Sequence, residues 1–590
     1  MRALRPAGVA PAGEGTDLET PGRGRRWIVL LWSVALVAAI FLVVGHLGFQ
    51  PTDEGNIAAQ THRLLDGQVP HRDVIFARPM GSALLHVIDF GVPMPLFEAS
   101  RLIGIAEIVL YSVCLAWLIF DLAPSRWGLA RSVAAAASAL VNLHTFLLNG
   151  WYTTDGLVFV ALGFVMLRSG LARDRRWVLR IGLLALGLAA VMKQSFAAAS
   201  LLGLVWVVSA GRARPMRERV RSAASAAVLL AAPMLVYIAA ITARGALDEF
   251  LGQILGADTV YGASFVTVFR RSGPRWELIA GLAGLVALLW VRRRAERSNA
   301  AALDVASRVG ISLLVVGVVL AHRLAFRGSW AVILLWGVVA FVGWRAAVER
   351  TFDGVGAVLV LTGWMAALSW GYAVPNLVAG SLALYLLDRT WRGAARALPA
   401  AGTPARSRLV AAGIALAGLA TGALFVAVRF AHPYGDRPEA ELTASLRAAS
   451  PEWGRIRTNP ATASYLTELA SCVRSHPARW TAALPDNPGI YPALDLRNPF
   501  PIDWMYPDEV AGEEERILQT ARRLAREGDY TVLFQTYPIA RLTEPGPFPP
   551  PAGPDSVPLA RPLLTRIWRI LDGTRFTCGP FVGVTAPASS

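Results

Sequence analysis

The stretch from Pro51 to Phe90, PTDEGNIAAQTHRLLDGQVPHRDVIFARPMGSALLHVIDF, is the first polar segment after a long apolar run. It packs acids, bases and helix signals into forty residues. Thr52-Asp53-Glu54 is written like a helix opening and Gly67 like its stop. Ile57, Ala58, Thr61, Leu64 and Leu65 fall on one helical face, with Glu54, Asn56, Gln60 and Arg63 turned elsewhere. The pattern predicts a short amphipathic helix lying in a membrane interface. His71, Arg72, Asp73 and Arg78-Pro79 follow, then a second apolar stretch from Gly81 to Phe90. Two acids at a helix start, with basic residues behind them on the same side of a membrane, point to a site that handles a charged group.

The rest of the chain supplies the membrane. Its 590 residues are 54% hydrophobic, and its mean hydropathy is +0.46. That composition belongs to a polytopic α-helical membrane protein. The formal net charge of +16 invites a nucleic-acid partner, but the arginines crowd the short loops between apolar runs, as the positive-inside rule expects. Nucleic acid is therefore excluded as a partner.

Residues 1–26 are rich in Pro, Gly and Arg and read as a disordered cytoplasmic tail. Apolar runs at about 27–49, 101–120, 130–148, 156–169, 178–192, 195–210, 222–243, 276–291, 307–321, 329–345, 354–370, 374–388 and 409–430 give about thirteen spans within a domain over 27–430. With the N-terminus inside, the loops 173–180, 212–221, 292–297 and 389–408 are internal, and all four are basic. The loop 50–100, the turn 149–155, the turn at Lys193 and the segments 244–275, 322–328 and 371–375 are then external. An odd count also places residues 431–590 outside.

Residues 431–590 read as an extracytoplasmic α/β domain. Leu442–Ala449, Ala461–Ser475 and Glu509–Glu527 are predicted helices; Trp480–Leu484, Tyr530–Tyr537 and Phe581–Thr585 are predicted strands. Three cysteines make neither a disulfide framework nor a metal knuckle, although Cys472 and Cys578 can pair in an oxidising compartment.

The order Asp-Glu-Gly, a short helix ending Leu-Asp-Gly, Pro-His-Arg-Asp, then Arg78-Pro79-Met80-Gly81 resembles the first extracytoplasmic loop of the GT-C membrane glycosyltransferases. More narrowly it resembles the branch of protein O-mannosyltransferases and aminoarabinose transferases, whose usual Lys-Pro-Pro-Gly is here Arg-Pro-Met-Gly. The segments Leu484–Tyr491 and Leu496–Phe500 resemble the periplasmic C-terminal domains of bacterial GT-C proteins, and Val-Met-Lys193-Gln-Ser-Phe resembles a Lys-Gln turn found in many of them. The resemblance implies an inverting transferase that moves a sugar from a polyprenyl-phosphate donor to a glycan, lipid or protein acceptor at the outer face of a bacterial inner membrane.

That chemistry assigns expectations to residues. Asp53 falls where the family's catalytic acid stands, as general base; the plainer reading is a helix cap. Glu54 positions the acceptor, joins Asp53 on a divalent metal ion, or is merely solvated. Arg78, Lys193, Arg72 and Asp73 are candidates for the donor phosphate, and Asp73 can orient Arg72 or Arg78. Lys193 is the single lysine among 57 basic residues, which asks whether its position needs a compact ammonium; a snorkelling helix end is the alternative. Arg270-Arg271 suits lipid headgroups better than donor phosphate. Trp151, Tyr152 and Asp155 offer stacking and hydrogen bonds to a sugar, or belong to an aromatic belt. Glu107 stands inside a span, either functional or bonded to a neighbouring helix. A multi-spanning transporter or lipid flippase is the competing class, and an envelope polymerase or ligase a third.

Overall fold

The computed structural model describes residues 23–143, 146–211, 215–256, 276–321, 330–368, 374–392, 404–544 and 551–588. Most of the tail, Arg270-Arg271 and the loop 322–328 lie outside the described residues.

The chain is a helical bundle carrying a small sheet domain at one end. The bundle helices are α1 (Arg23–Val44), α2 (Asn56–Leu65), α3 (Gly81–Leu85), α4 (Leu96–Phe120), α5 (Leu129–Leu143), α6 (Tyr152–Ala172), α7 (Arg176–Met192), α8 (Ala197–Ala210), α9 (Met216–Thr242), α10 (Leu247–Gly256), α11 (Trp276–Ser298), α12 (Ala301–Ala321), α13 (Trp330–Ala347), α14 (Gly354–Ala367), α15 (Ala379–Trp391) and α16 (Pro404–Ala431). Among the described residues, six helices are long and apolar enough to cross a membrane: Trp27–Val44, Leu96–Phe120, Tyr152–Ala172, Met216–Thr242, Ala301–Ala321 and Trp330–Ala347. Four further apolar helices are shorter. Each of the thirteen apolar runs overlaps a helix among the described residues, but only six of those helices meet the length and hydropathy of a span. The 17 residues of α7 reach about 25 Å, short of a hydrocarbon core of about 30 Å.

Small residues and buried polar groups hold the bundle together, as apolar surroundings require. A methyl on Gly163 of α6 would stand 2.7 Å from Leu186 of α7, and one on Gly182 of α7 would stand 2.7 Å from the Leu167 nitrogen of α6. Asn142 of α5 donates to Ser112 of α4 at 2.8 Å and to Ser381 of α15 at 3.0 Å. It also accepts from the Gly380 nitrogen at 2.8 Å. Asp353 ties α13 to α15 by accepting from Arg345 at 2.7 Å and Arg389 at 2.9 Å.

In the C-terminal region, β1 (Ala444–Ser445) and β2 (Arg457–Thr458) form a small ladder, followed by α17 (Pro460–Ser475). A four-stranded sheet runs in the order β3 (Trp480–Leu484), β4 (Gly528–Gln535), β6 (Phe581–Ala588), β5 (Thr574–Cys578), with β3 parallel to β4 and the other pairs antiparallel. Cys472 and Cys578 form a disulfide between α17 and β5.

Three expectations are corrected here. Leu442–Ala449 is not an α-helix: it is a two-residue strand and a single 3-10 turn, with Leu442, Leu446 and Ala449 all inserted in the core. Glu509–Glu527 is broken by left-handed backbone at Ala511 and Gly512 into a short turn, Pro507–Val510, and a helix, Glu514–Glu527. Helix α2 starts at Asn56, not at Thr52, and it is no interfacial helix. Residues 56–63 are buried on every face, because the C-terminal domain covers the polar side. Arg63 donates to both carboxylate oxygens of Asp503 at 2.7 Å and to the Phe500 carbonyl at 2.7 Å.

Candidate functional site

The first loop folds as a turn before it becomes a helix. Gly55, at φ 96°, reverses the chain into α2 and takes the N-cap position with no side-chain cap. Asp53 is therefore not the helix cap. The turn also sends its two acids to different partners. Glu54 is buried against Arg101 of α4, which donates to its Oε1 at 2.8 Å and Oε2 at 2.7 Å. Arg101 also holds the Gly45 and Gly48 carbonyls at 2.8 and 2.6 Å. This buried ion pair moors the loop to the bundle. Of the expectations for Glu54, the solvated one is overturned: the side chain is buried and ion-paired.

Asp53 is half-buried, and its Oδ2 accepts a 2.6 Å hydrogen bond from the Tyr434 hydroxyl. Burial pushes its carboxyl above the usual range, Tyr434 opposes that, and the nearby charge of Asp486 adds to it. Asp486 belongs to the loop after β3, where Arg561 donates to it at 2.9 and 3.2 Å. Two segments singled out in the sequence thus meet: Gly55 of the first loop abuts Gly489 of Leu484–Tyr491.

A second centre gathers the cations. Arg78 donates to Glu509 at 2.9 and 3.0 Å. Its guanidinium lies 4.3 Å from the Tyr152 ring centre and 5.3 Å from that of Phe76. Lys193, at the end of α7, is buried and donates to the Thr153 hydroxyl at 3.1 Å. Gln194 beside it donates to the Ala77 carbonyl at 2.9 Å. Arg78, Lys193 and Glu509 thus share a buried corner, where the charges of Arg78 and Glu509 both act on Lys193.

Aromatic rings connect the two centres. Tyr434, Phe146, Trp151 and Tyr152 follow one another with ring centres 6.1, 6.2 and 4.5 Å apart. Trp151 and Tyr152 are buried in this wall. Between α2 and the C-terminal domain lies a narrow cleft lined by Asn56, Gln60, Phe76, Asp503, Trp504 and Glu509. It holds about 10 Å³, room for a single water. Asn56 Nδ2, Gln60 Oε1 and Trp504 Nε1 are buried without a hydrogen-bond partner among the described residues. A larger cavity of about 270 Å³ lies at the C-terminal end of α1, between Phe41, Gly45, His46, Glu98, Arg455 and Arg457.

Three expected site residues go elsewhere. Arg72 and Asp73 form an exposed pair with each other at 3.0 Å, and Arg72 also holds the Arg244 carbonyl. Asp73 thus holds Arg72, one of the two arginines it is expected to orient, and among the described residues neither is seen bonded to Arg78 or Lys193. Asp155 is fully buried and faces His86 at 3.3 Å, not an acceptor groove.

Sequence reading missed Tyr434, Arg101, Asp486 and Glu509, each supplied by a segment distant from the loop it serves. It also missed His71, whose ring contacts Tyr237 at 2.7 Å and Gln253 at 2.9 Å. Burial lowers the pKa of His71 to about 4, so it is a neutral brace. No protein-family model matches the chain, and no curated protein matches it.

Proposed function

We propose that the protein is an inverting membrane glycosyltransferase that moves a sugar from a polyprenyl-phosphate donor to a cell-envelope acceptor. One observation carries the reading. A half-buried acid hydrogen-bonded to a tyrosine, Asp53, and a buried corner that holds two cations, Arg78 and Lys193, lie along one wall of aromatic rings. A transfer of this class needs both: a base for the acceptor hydroxyl and a preorganised cationic setting for the departing phosphate.

In this mechanism the Asp53 carboxylate takes the acceptor hydroxyl proton as that oxygen bonds to the anomeric carbon. The bond from that carbon to the phosphate oxygen breaks, its electron pair leaves with the polyprenyl phosphate, and Arg78 and Lys193 stabilise the charge. Trp151 and Tyr152 form the wall along which sugar and lipid phosphate are held. The lipid tail lies in the membrane with the bundle, and the acceptor is a glycan, a lipid or a protein.

The same reading puts the site on the outer face of a bacterial inner membrane. The Cys472–Cys578 disulfide supports it, since such bonds persist in oxidising compartments. So does the charge pattern of the sequence, whose short arginine-rich loops fall on the side opposite the first loop by the positive-inside rule. The test is sugar transfer from a labelled polyprenyl-phosphate hexose in membranes holding the full-length chain. Asp53→Asn is expected to lose about 10²–10⁴-fold in rate with unchanged expression. Near-normal turnover would remove Asp53 from the mechanism.

A further inference from the structure

A group of ionisable side chains remains outside this mechanism. His86 follows α3 in the first loop, Glu107 lies in α4 and Asp155 in the first turn of α6. Three separate elements thus bring one imidazole and two carboxylates together, with one potential ligand atom from each lying within 4.8 Å of the others. Asp155 is 0% exposed and His86 1%. The fold makes room for the ring on purpose: a methyl on Gly150 would collide with all three of the nearest His86 ring atoms.

Two details separate this group from an ordinary buried histidine. The first is orientation. His86 Nδ1 faces both oxygens of Asp89 at 3.0 Å, which leaves Nε2 directed at Asp155 Oδ1, 3.3 Å away. An outer carboxylate that holds one ring nitrogen and presents the other is the usual arrangement behind a metal-bound histidine. The second is an unmet demand. Asp155 Oδ2 and Glu107 Oε2 are both covered and have no hydrogen-bond partner among the described residues. Buried carboxylate oxygens left so are costly unless a cation or a proton satisfies them. Donor atoms bonded to one ion at about 2.1 Å stand about 3.4 Å apart in a tetrahedral site, close to the His86–Asp155 separation.

We propose that His86 Nε2, Glu107 and Asp155 bind a divalent transition-metal ion, with Asp89 orienting His86. One imidazole and two carboxylates suit zinc or manganese better than magnesium or calcium, which favour all-oxygen sites. The ion pins the loop after α3 to α4 and α6. Tyr152 and Thr153, which meet Arg78 and Lys193, open the same helix as Asp155, so the ion fixes the base of the cationic corner without touching the reacting groups.

The experiment is metal analysis of the purified full-length chain, read without any transfer assay. Protein stripped with chelator is equilibrated with zinc or manganese, passed through a desalting column and analysed by mass spectrometry. About one equivalent should remain, and the chain should melt at a higher temperature than the stripped form. Glu107→Gln, nearly isosteric, should lose that equivalent. Asp89→Asn, which spares all three ligands, should weaken binding about 10–100-fold. Cobalt in place of zinc should give visible absorption from nitrogen and oxygen ligation in the wild-type chain, which keeps the test independent of how well the variants fold. Wild-type protein that retains neither zinc nor manganese, or that retains them unchanged in Glu107→Gln, would overturn the proposal in favour of a shared proton.

Discussion

Gly55 and Gly489 meet backbone to backbone: a methyl on Gly55 would fall on the Cα and nitrogen of Gly489. The turn that carries Asp53 and the loop that carries Asp486 are therefore one surface, built from the two ends of the chain. Gly55→Ala should break it. The residue needs φ 96°, a strain of about 1–3 kcal/mol for a non-glycine residue, and the collision comes on top. Gly67→Ala is the control, since Gly67 has φ 79° and open space around its Cα. Transfer and protease resistance of the C-terminal domain should fall in the first variant and stay near wild type in the second. Equal losses would mean that backbone strain, and not the contact, decides.

Asp53 should leave a signature in pH. Its folded-state carboxyl is raised by burial, so the ionised form costs stability above that raised pKa. Protonation, or an amide, removes the cost. Asp53→Asn should thus melt higher than wild type at neutral pH, with the gap closing as pH falls through the folded-state value. Tyr434→Phe removes a donor that favours the charged form, which moves the carboxyl pKa up further. The acidic limb of kcat/KM should shift to higher pH in that variant. A shift to lower pH, or none, would separate Tyr434 from the base.

Arg63 and Asp503 should be strongly coupled. Both are buried, and their two 2.7 Å hydrogen bonds join α2 to the C-terminal domain. Removing one partner of such a pair costs about 3–5 kcal/mol, whereas replacing both with apolar groups of similar volume can be neutral. Arg63→Met or Asp503→Leu alone should lower the melting temperature sharply, and the double variant should recover much of the loss. Additive losses would show that the pair is not what joins the two regions.

These contacts also show what the sequence could disclose. The helices were legible because apolar runs are local, and the strands Trp480–Leu484 and Phe581–Thr585 because their burial follows their composition. Strand β5 was not, since Thr574–Cys578 is an edge strand with an exposed pattern. Leu442, Leu446 and Ala449 repeat at helical spacing, yet all three insert into a core from irregular backbone. The polar face of α2 looked solvent-bound because its cover, Phe500 and Asp503, lies far downstream. Asp53 and Glu54 are adjacent acids in the sequence. Only the turn at Gly55 and the position of Arg101 decide that one is buried in an ion pair and the other faces Tyr434.

The cationic corner offers the last discrimination. Glu509 balances Arg78 in the structure, and a donor phosphate entering the site would compete for the same guanidinium. Glu509→Gln leaves a buried cation without its carboxylate and should destabilise the chain by about 3–5 kcal/mol. A ligand that binds only the folded form adds stability with its concentration. Short-chain polyprenyl phosphate should therefore raise the melting temperature of Glu509→Gln more than that of the wild type, while lowering its KM for donor. Lys193→Met, which keeps an unbranched chain and removes the charge, should do the reverse: a higher KM and a smaller shift with lipid phosphate. Lys193→Arg should fail to restore the wild type, because a planar guanidinium is larger than the ammonium that fits against Thr153 in this buried corner. If lipid phosphate shifts all four proteins equally, Arg78 and Lys193 form a structural pair and the phosphate binds elsewhere.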